Sequence, residues 1–381
     1  MWSTVIILPN DRHVKSTSQF AVSYSPTLQV KCMKPENNRI DKFISTRTEA
    51  DYDWTPNTDY SRLVEEEIEE HSQIELTEDL KLGGIHAQKA WGYWFKYLTN
   101  NIWKTSFTAE ILNVCDGIHN PRILSLGCGH GGIELETAKL LKPGYQMLAL
   151  DLNPEIFTQA RADVEANNLN IEFMAVDLNF FEIEEKSFDV IFAHASLHHL
   201  LNLEHVFKQI YHGLKDEGRL IILDIIGKTQ VLFWKPNVDY AIDLVQKMPP
   251  KYSAGISLPP YSEPSVQISM EGVRQEEIEP VMSDYFTPVK EFKYGSFIRM
   301  ICTHPQLGIR FDPDIEEDRQ YLQSIFDLDL SQIKDGKLRP TEIFGIYKKK
   351  DSIDLDAIDS KARARIKDVL ESGQIAQNDA I

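Results

Sequence analysis

A clear alternation of apolar and polar segments runs from Ile123 to Asp151, ILSLGCGHGGIELETAKLLKPGYQMLALD. Ile123, Leu124 and Leu126 form a short apolar run, Gly127, Gly129, Gly131 and Gly132 a turn, and Ile133 to Leu141 the start of a helix. Gln146 to Leu150 then predict a second strand with Asp151 at its carboxyl end. The pattern repeats downstream. Asn153 is a helix cap followed by Pro154, so 154–167 predicts a helix. Ile171 to Leu178 reads as a strand ending in Asp177, and Phe188 to His194 as another, entered through an acidic loop, 182–187. Leu203 to Leu214 predicts a helix closed by Gly218, and Arg219 to Ile226 is the apolar run of a strand buried on both faces. Strands separated by helices in this way predict an α/β fold with a parallel, doubly wound sheet.

The flanks are less regular. Residues 1–58 have weak periodicity and read as a poorly structured segment, with Val5–Leu8 a candidate strand. Tyr60 to His71 predicts an acidic helix with a solvated face. Ile85 to Asn100 predicts a helix crowded with Trp91, Tyr93, Trp94, Phe95 and Tyr97, so 59–104 is expected to pack on the main domain or lid its cleft. Ser106 to Gly117 opens the core, 105–227, as a further helix. Residues 228–287 are proline-rich, with helical pieces near Asp239–Lys247 and Gln275–Asp284, and are expected to form an inserted substrate cap. Within 288–350, which should complete the sheet, Val289–Cys302 reads as a long strand, Ile315–Phe326 as a helix and Pro340–Lys348 as a strand. A charged tail, 351–381, holds a candidate helix at Ala357–Glu371.

Composition narrows the class. The 381 residues are 42% hydrophobic and 26% charged, which is ordinary for a globular protein. Cys32, Cys115, Cys128 and Cys302 are widely spaced, arguing against a disulfide framework and for a reducing, cytoplasmic setting. No basic-then-apolar leader and no membrane-length apolar run is expected. The net charge of −18 argues against nucleic acid or an anionic membrane as the main partner, and nothing indicates an oligomeric state.

The glycine turn followed by a strand-end acid points to a cofactor containing a nucleoside. Glycines let the backbone approach a ligand, and a carboxylate on the neighbouring strand accepts hydrogen bonds from ribose hydroxyls. Gly127-Cys-Gly-His-Gly-Gly132 also satisfies GxGxxG, so an NAD(P)-dependent oxidoreductase is an alternative, with Tyr211 and Lys215 as a Tyr-x-x-x-Lys pair; a degenerate, cofactor-binding subunit is another. The wider pattern favours a different cofactor. ILSLGCGHG, ALDLNP at 149–154, VDLN at 176–179, FDVIFAHASLHHL at 188–200 and LKDEGRLIILD at 214–224 resemble, in order, the motifs of class I S-adenosylmethionine-dependent methyltransferases.

The resemblance implies a mostly parallel seven-stranded sheet, S-adenosyl-L-methionine as cofactor and a small-molecule methyl acceptor. It implies that Gly127, Cys128 and Gly129 pass beneath the methionine portion and that Asp151, with Leu152 beside it, binds the ribose. Asp177 would receive the adenine amino group with Leu178 flanking the ring, and Ala193 and His194 would line the methyl end. Ser125 stands where the family often has an acid. A serine accepts a hydrogen bond but cannot neutralise an ammonium.

His194, His198, His199 and His205 follow the fourth strand, where the methyl donor should lie. His198 first and His194 second are expected to act as general base or substrate orienter, histidine being suited to proton transfer near neutral pH. His194 and His198 are four apart, yet no third ligand at a convincing spacing accompanies them, so no metal is expected. Arg274, Glu276 and Glu277 are expected on a solvated helix start, within reach of a polar substrate, and Tyr240, Tyr252 and Tyr261 are candidate cleft-liners.

Overall fold

Between residues 122 and 225 successive strand residues face opposite sides of one sheet, and both sides are covered. Ile123, Met147, Val190, Phe192 and Ile221 join one apolar cluster, whereas Leu124, Leu148, Ile191, Leu220 and Ile222 join another. Side chains alternate across a pleated strand, so a strand covered on both faces must be apolar throughout.

The computed structural model describes residues 40–46, 60–72, 89–264 and 269–371. The strands are β1 (Ile44–Thr46), β2 (Arg122–Leu126), β3 (Gln146–Asp151), β4 (Ile171–Ala175), β5 (Phe181–Ile183), β6 (Phe188–His194), β7 (Leu214–Ile225), β8 (Phe286–Tyr294) and β9 (Glu342–Lys349). The helices are α1 (Tyr60–Ser72), α2 (89–97), α3 (Phe107–Cys115), α4 (Gly132–Leu140), α5 (Phe157–Ala166), α6 (Leu203–Gly213), α7 (Lys235–Lys247), α8 (Pro250–Ser253), α9 (Ile278–Tyr285), α10 (Ile298–Cys302), α11 (Glu316–Lys334) and α12 (Leu355–Glu371). Seven strands form the main sheet in the order β4-β3-β2-β6-β7-β9-β8. Neighbours from β4 to β7 are parallel; β9 runs antiparallel to both β7 and β8. The mostly parallel, doubly wound sheet expected from the sequence is therefore present. Because β2 lies between β3 and β6, chain connections leave it in opposite directions, and a crevice opens at its carboxyl end.

Several local expectations differ. The acidic loop at 182–187 contains part of β5, which pairs antiparallel with β1 and brings Ile44 opposite Ile183. Val5–Leu8 and residues 85–88 lie outside the described residues. Gly218 does not close α6. It lies inside β7, where the register against β6 slips, and α6 ends with the Leu214 amide donating to Ile210 O. The long strand at 289–302 stops at Tyr294, because Gly295 turns to φ 70° and Asp329 of α11 then accepts from the amides of Ser296, Phe297 and Ile298, starting α10 instead. The aromatic helix α2 packs on the domain: Trp94 is fully buried, with its ring 4.8 Å from Phe326 and 6.3 Å from Tyr294. The acidic helix α1 is not merely a solvated face, since Tyr60 and Leu63 pack with Phe180, Leu201, Met270 and Val273. Among the described residues no helix is long and apolar enough to cross a membrane.

Candidate cofactor site

A cavity of about 320 Å³ lies at the carboxyl ends of β2, β3 and β6. Its floor is the loop leaving β2. Gly127 adopts φ 68°, and a Cβ there would stand 2.4 Å from Ser196 Cβ, so a larger residue is excluded both by backbone conformation and by the neighbouring loop. Gly127→Ala is expected to destabilise the protein by roughly 1–3 kcal/mol, measured as a lower urea midpoint. The loop is pinned from two sides: Cys128 N donates to Leu150 O at 2.9 Å, and Gly129 N donates to Asp151 Oδ2 at 2.7 Å. Asp151 Oδ1 also accepts from Asn153 N at 3.1 Å, and Asn153 in turn caps the turn at Pro154 by accepting from Glu155 N. The half-buried carboxylate thus stands at the cavity wall in a fixed orientation.

Asp177 stands on another wall with both oxygens engaged. Tyr60 of α1 donates its hydroxyl to Oδ2 at 2.6 Å, and the Asn179 amide donates to Oδ1 at 2.9 Å. A carboxylate has about four acceptor positions, so capacity for a further donor remains. Leu152, Val176 and Leu178 supply apolar surface between the two acids, and Gly127, Cys128, Gly129 and His194 complete the expected residues that line the cavity.

Three expected residues lie elsewhere. Ser125 is buried beneath the loop and donates its hydroxyl to Glu134 Oε1 at 2.5 Å. Glu134 of α4 therefore brings an acid to the place where the strand has only serine; it does not line the cavity, and burial pushes its carboxyl up to about 7. Ala193 is fully buried in the apolar core and does not line the cavity; Ala195 and Ser196, two and three residues further along, line it instead. Ala195 holds φ 52°, a left-handed conformation that turns the chain sharply at the end of β6.

His198 is the third. It does not share a face with His194, because residues 197–199 form a short 3-10 turn that directs His198 inward. It is fully buried and its Nδ1 donates to Asp224 Oδ1 at 2.6 Å. Asp224, at the end of β7, also accepts from the amides of Ser196 and Leu197, so one carboxylate holds the whole segment 196–198. His194, by contrast, lines the cavity against the edge of Phe107, and burial lowers its pKa to about 4, leaving it neutral at pH 7. His199 lines the cavity too, with Nδ1 2.9 Å from Glu67 of α1, while His205 is turned away onto Phe181 O.

Residues from outside the core complete the walls: Glu67 and Ile68 from α1 and Met270 from the insertion. Arg274 is not solvated as expected. It is buried and makes bidentate contacts to Glu204 (2.8 and 2.8 Å) and Glu277 (2.9 and 2.6 Å), with a further bond to Leu201 O. Glu276 bonds Thr229. Tyr252 is buried on Asp318 and Tyr261 bonds Glu263; neither they nor Tyr240 line the cavity. Tyr211 and Lys215 form no catalytic pair, since the tyrosine bonds Lys350 O and the lysine bonds Asp189.

These residues fit S-adenosylmethionine. A Cβ at Gly129 would meet nothing within 4 Å, so the loop leaves open space, and two carboxylates are set apart for hydroxyl and amino donors with apolar walls between them. Residues 123–218 match the family model described as a methyltransferase domain. Residues 123–218 are therefore a methyltransferase domain of the class I, S-adenosylmethionine-dependent type. The chain is 24% identical over 179 residues to the ubiquinone/menaquinone biosynthesis C-methyltransferase UbiE of Stutzerimonas stutzeri, covering 46% of this chain and 63% of that one. It is 31% identical over 121 residues to the sterol 4-C-methyltransferase strm-1 of Caenorhabditis elegans, covering 31% of this chain and 34% of that one. The chain thus spans less than two thirds of the length of these curated relatives. Among solved structures, an S-adenosylmethionine-dependent methyltransferase from Mesorhizobium loti is similar with a TM-score of 0.36 and 15% identity, over 64% of this chain and 99% of that one.

Proposed function

We propose that this protein transfers a methyl group from S-adenosylmethionine to an oxygen, nitrogen or carbon atom of a small-molecule acceptor. The observation that carries the reading is the convergence of the Gly127–Gly129 loop, Asp151, Asp177 and His194 on one cavity inside the methyltransferase domain. Bound there, the cofactor would supply an electrophilic sulfonium methyl group. Asp151 would accept from the ribose hydroxyls and Asp177 from the adenine amino group, with Leu152 and Leu178 bordering the nucleoside. Aligning the acceptor with the methyl group is the main task left to the protein, and such positioning is worth up to roughly 7–11 kcal/mol in favourable cases.

His194 is the preferred group for that task. Neutral at pH 7, it can accept a hydrogen bond from an acceptor hydroxyl or amine. His198, committed to Asp224, serves to hold the loop. The relatives named above support a small-molecule acceptor, because their names place them in quinone and sterol chemistry. The strong negative charge argues in the same direction, against a nucleic-acid backbone.

The test is incubation with methyl-labelled S-adenosylmethionine and fractionated cell extract, alongside calorimetry with S-adenosylhomocysteine. Label is expected in a low-mass organic product. Absence of S-adenosylhomocysteine binding, or label found only in nucleic acid or protein, would overturn the reading.

A further inference from the structure

Beside the cavity, two imidazoles and a carboxylate converge from distant parts of the chain. His198 Nε2 lies 3.7 Å from Glu271 Oε1, and His199 Nε2 lies 3.5 Å from Glu271 Oε2. One ligand atom from each of the three residues falls within 4.8 Å of the other two. From these positions we infer that His198, His199 and Glu271 form a site for one divalent transition-metal ion, at the part of the cavity wall that His199 lines.

The tautomers favour an ion. Asp224 accepts from three amides, those of Ser196, Leu197 and Ile225, as well as from His198, so the proton between Asp224 and His198 sits on Nδ1 and the lone pair on Nε2. That Nε2 is fully buried with no hydrogen-bond partner, and it faces a carboxylate, which is also an acceptor. Two acceptors facing one another, the imidazole nitrogen fully buried and the carboxylate partly exposed, call for a cation between them. Carboxylate-backed imidazoles are the usual arrangement behind metal-binding histidines: the second carboxylate fixes the ring and makes the free nitrogen a better donor. Asp224 stands in this relation to His198, and Glu67, 2.9 Å from His199 Nδ1, stands in it to His199.

Spacing and chemistry agree with this. Ligand atoms about 2.0–2.1 Å from a common ion are roughly 3–4.2 Å apart, which brackets the two measured separations. Two imidazoles and one carboxylate suit zinc, iron, cobalt or nickel better than magnesium or calcium, which prefer all-oxygen sets. Three ligands leave coordination positions open, and His199 lines the cavity. In the methyl-transfer reading those positions would hold an oxygen of the acceptor; that role rests on the reading, whereas ion binding does not. The sequence hides the site because Glu271 lies in the insertion, far from the histidines.

The experiment uses the full chain without an affinity tag, stripped with EDTA and desalted. Co(II) is titrated by visible absorption and Zn(II) by competition, and S-adenosylhomocysteine binding is measured on the same preparation. One equivalent of Co(II) per chain is expected, displaced by Zn(II). Glu271→Ala and Glu271→Gln should lose the site while keeping the circular dichroism spectrum and S-adenosylhomocysteine binding of the wild type. Asp224→Asn should weaken the ion's affinity roughly 10- to 100-fold. No stoichiometric uptake by the wild type, or uptake undiminished in both Glu271 variants, overturns the site. A wild type that binds S-adenosylhomocysteine but no ion overturns the metal site alone; one that binds the ion but no cofactor overturns the methyl-transfer reading alone.

Discussion

Arg274→Leu is expected to lower the unfolding free energy by roughly 3–5 kcal/mol, the cost of removing one partner from a buried ion pair. A guanidinium has five N–H donors, and at Arg274 five hydrogen bonds are made, to two carboxylates and a carbonyl. Leucine leaves Glu204 buried at the start of α6 without that counter-charge. Lysine should fare little better, because a single ammonium cannot make two bidentate contacts. Urea unfolding at neutral pH, followed by circular dichroism, gives the number. A loss below about 1 kcal/mol in Arg274→Leu would show that the clamp is not a source of stability. Arg274 ties the segment after Met270 and Glu271 to the start of α6, so the cavity wall depends on it. Combining Arg274→Leu with Glu204→Gln and Glu277→Gln should recover part of the loss, since it removes the stranded charges.

Asp151→Ala is expected to weaken S-adenosylhomocysteine binding by about 3 kcal/mol, roughly 100-fold in Kd, as read by calorimetry. Two effects add. The carboxylate that would accept from the ribose is lost, and so is the bond from Gly129 N that pins the loop over which the cofactor would lie. Asp151→Asn keeps an acceptor for that amide but not the charge, and should fall between wild type and alanine. Asp177→Ala should cost less than Asp151→Ala, because Asp177 bonds Tyr60 and Asn179 and, unlike Asp151, does not pin the glycine loop. An unchanged Kd in Asp151→Ala would remove this residue from the cofactor site.

How much of this was legible follows from which interactions are local. The strand Phe188–His194, the Asn153 cap and the placement of Asp151 at the end of β3 are all products of short-range pattern, and the sequence carries them directly. The strand β5 was hidden because its three residues are stabilised by pairing with β1, more than a hundred positions away. The orientation of His198 was hidden for a similar reason: its partner Asp224 belongs to the next strand but one feature of it was available. An acid closing an apolar strand is the signal that identified Asp151, and Asp224 closes LIILD in the same way. The acidic helix α1 misleads by composition, since its charge run conceals Tyr60 and Glu67, the residues that reach Asp177 and His199. Glu134 is missed because the acid comes from the helix after the glycine loop, nine positions along from Ser125.

The place of β7 in the sheet has a consequence for synthesis of the chain. β7 pairs with β6 on one side and with β9 on the other, and β9 begins at Glu342, about 117 residues after β7 ends at Ile225. At ribosomal rates of about 5–20 residues per second, the apolar edge Leu220–Ile225 waits roughly 6–23 s before its second neighbour emerges. An unpaired strand edge is a template for joining other chains. The half-made protein therefore passes through an interval in which its own sheet cannot cover that edge.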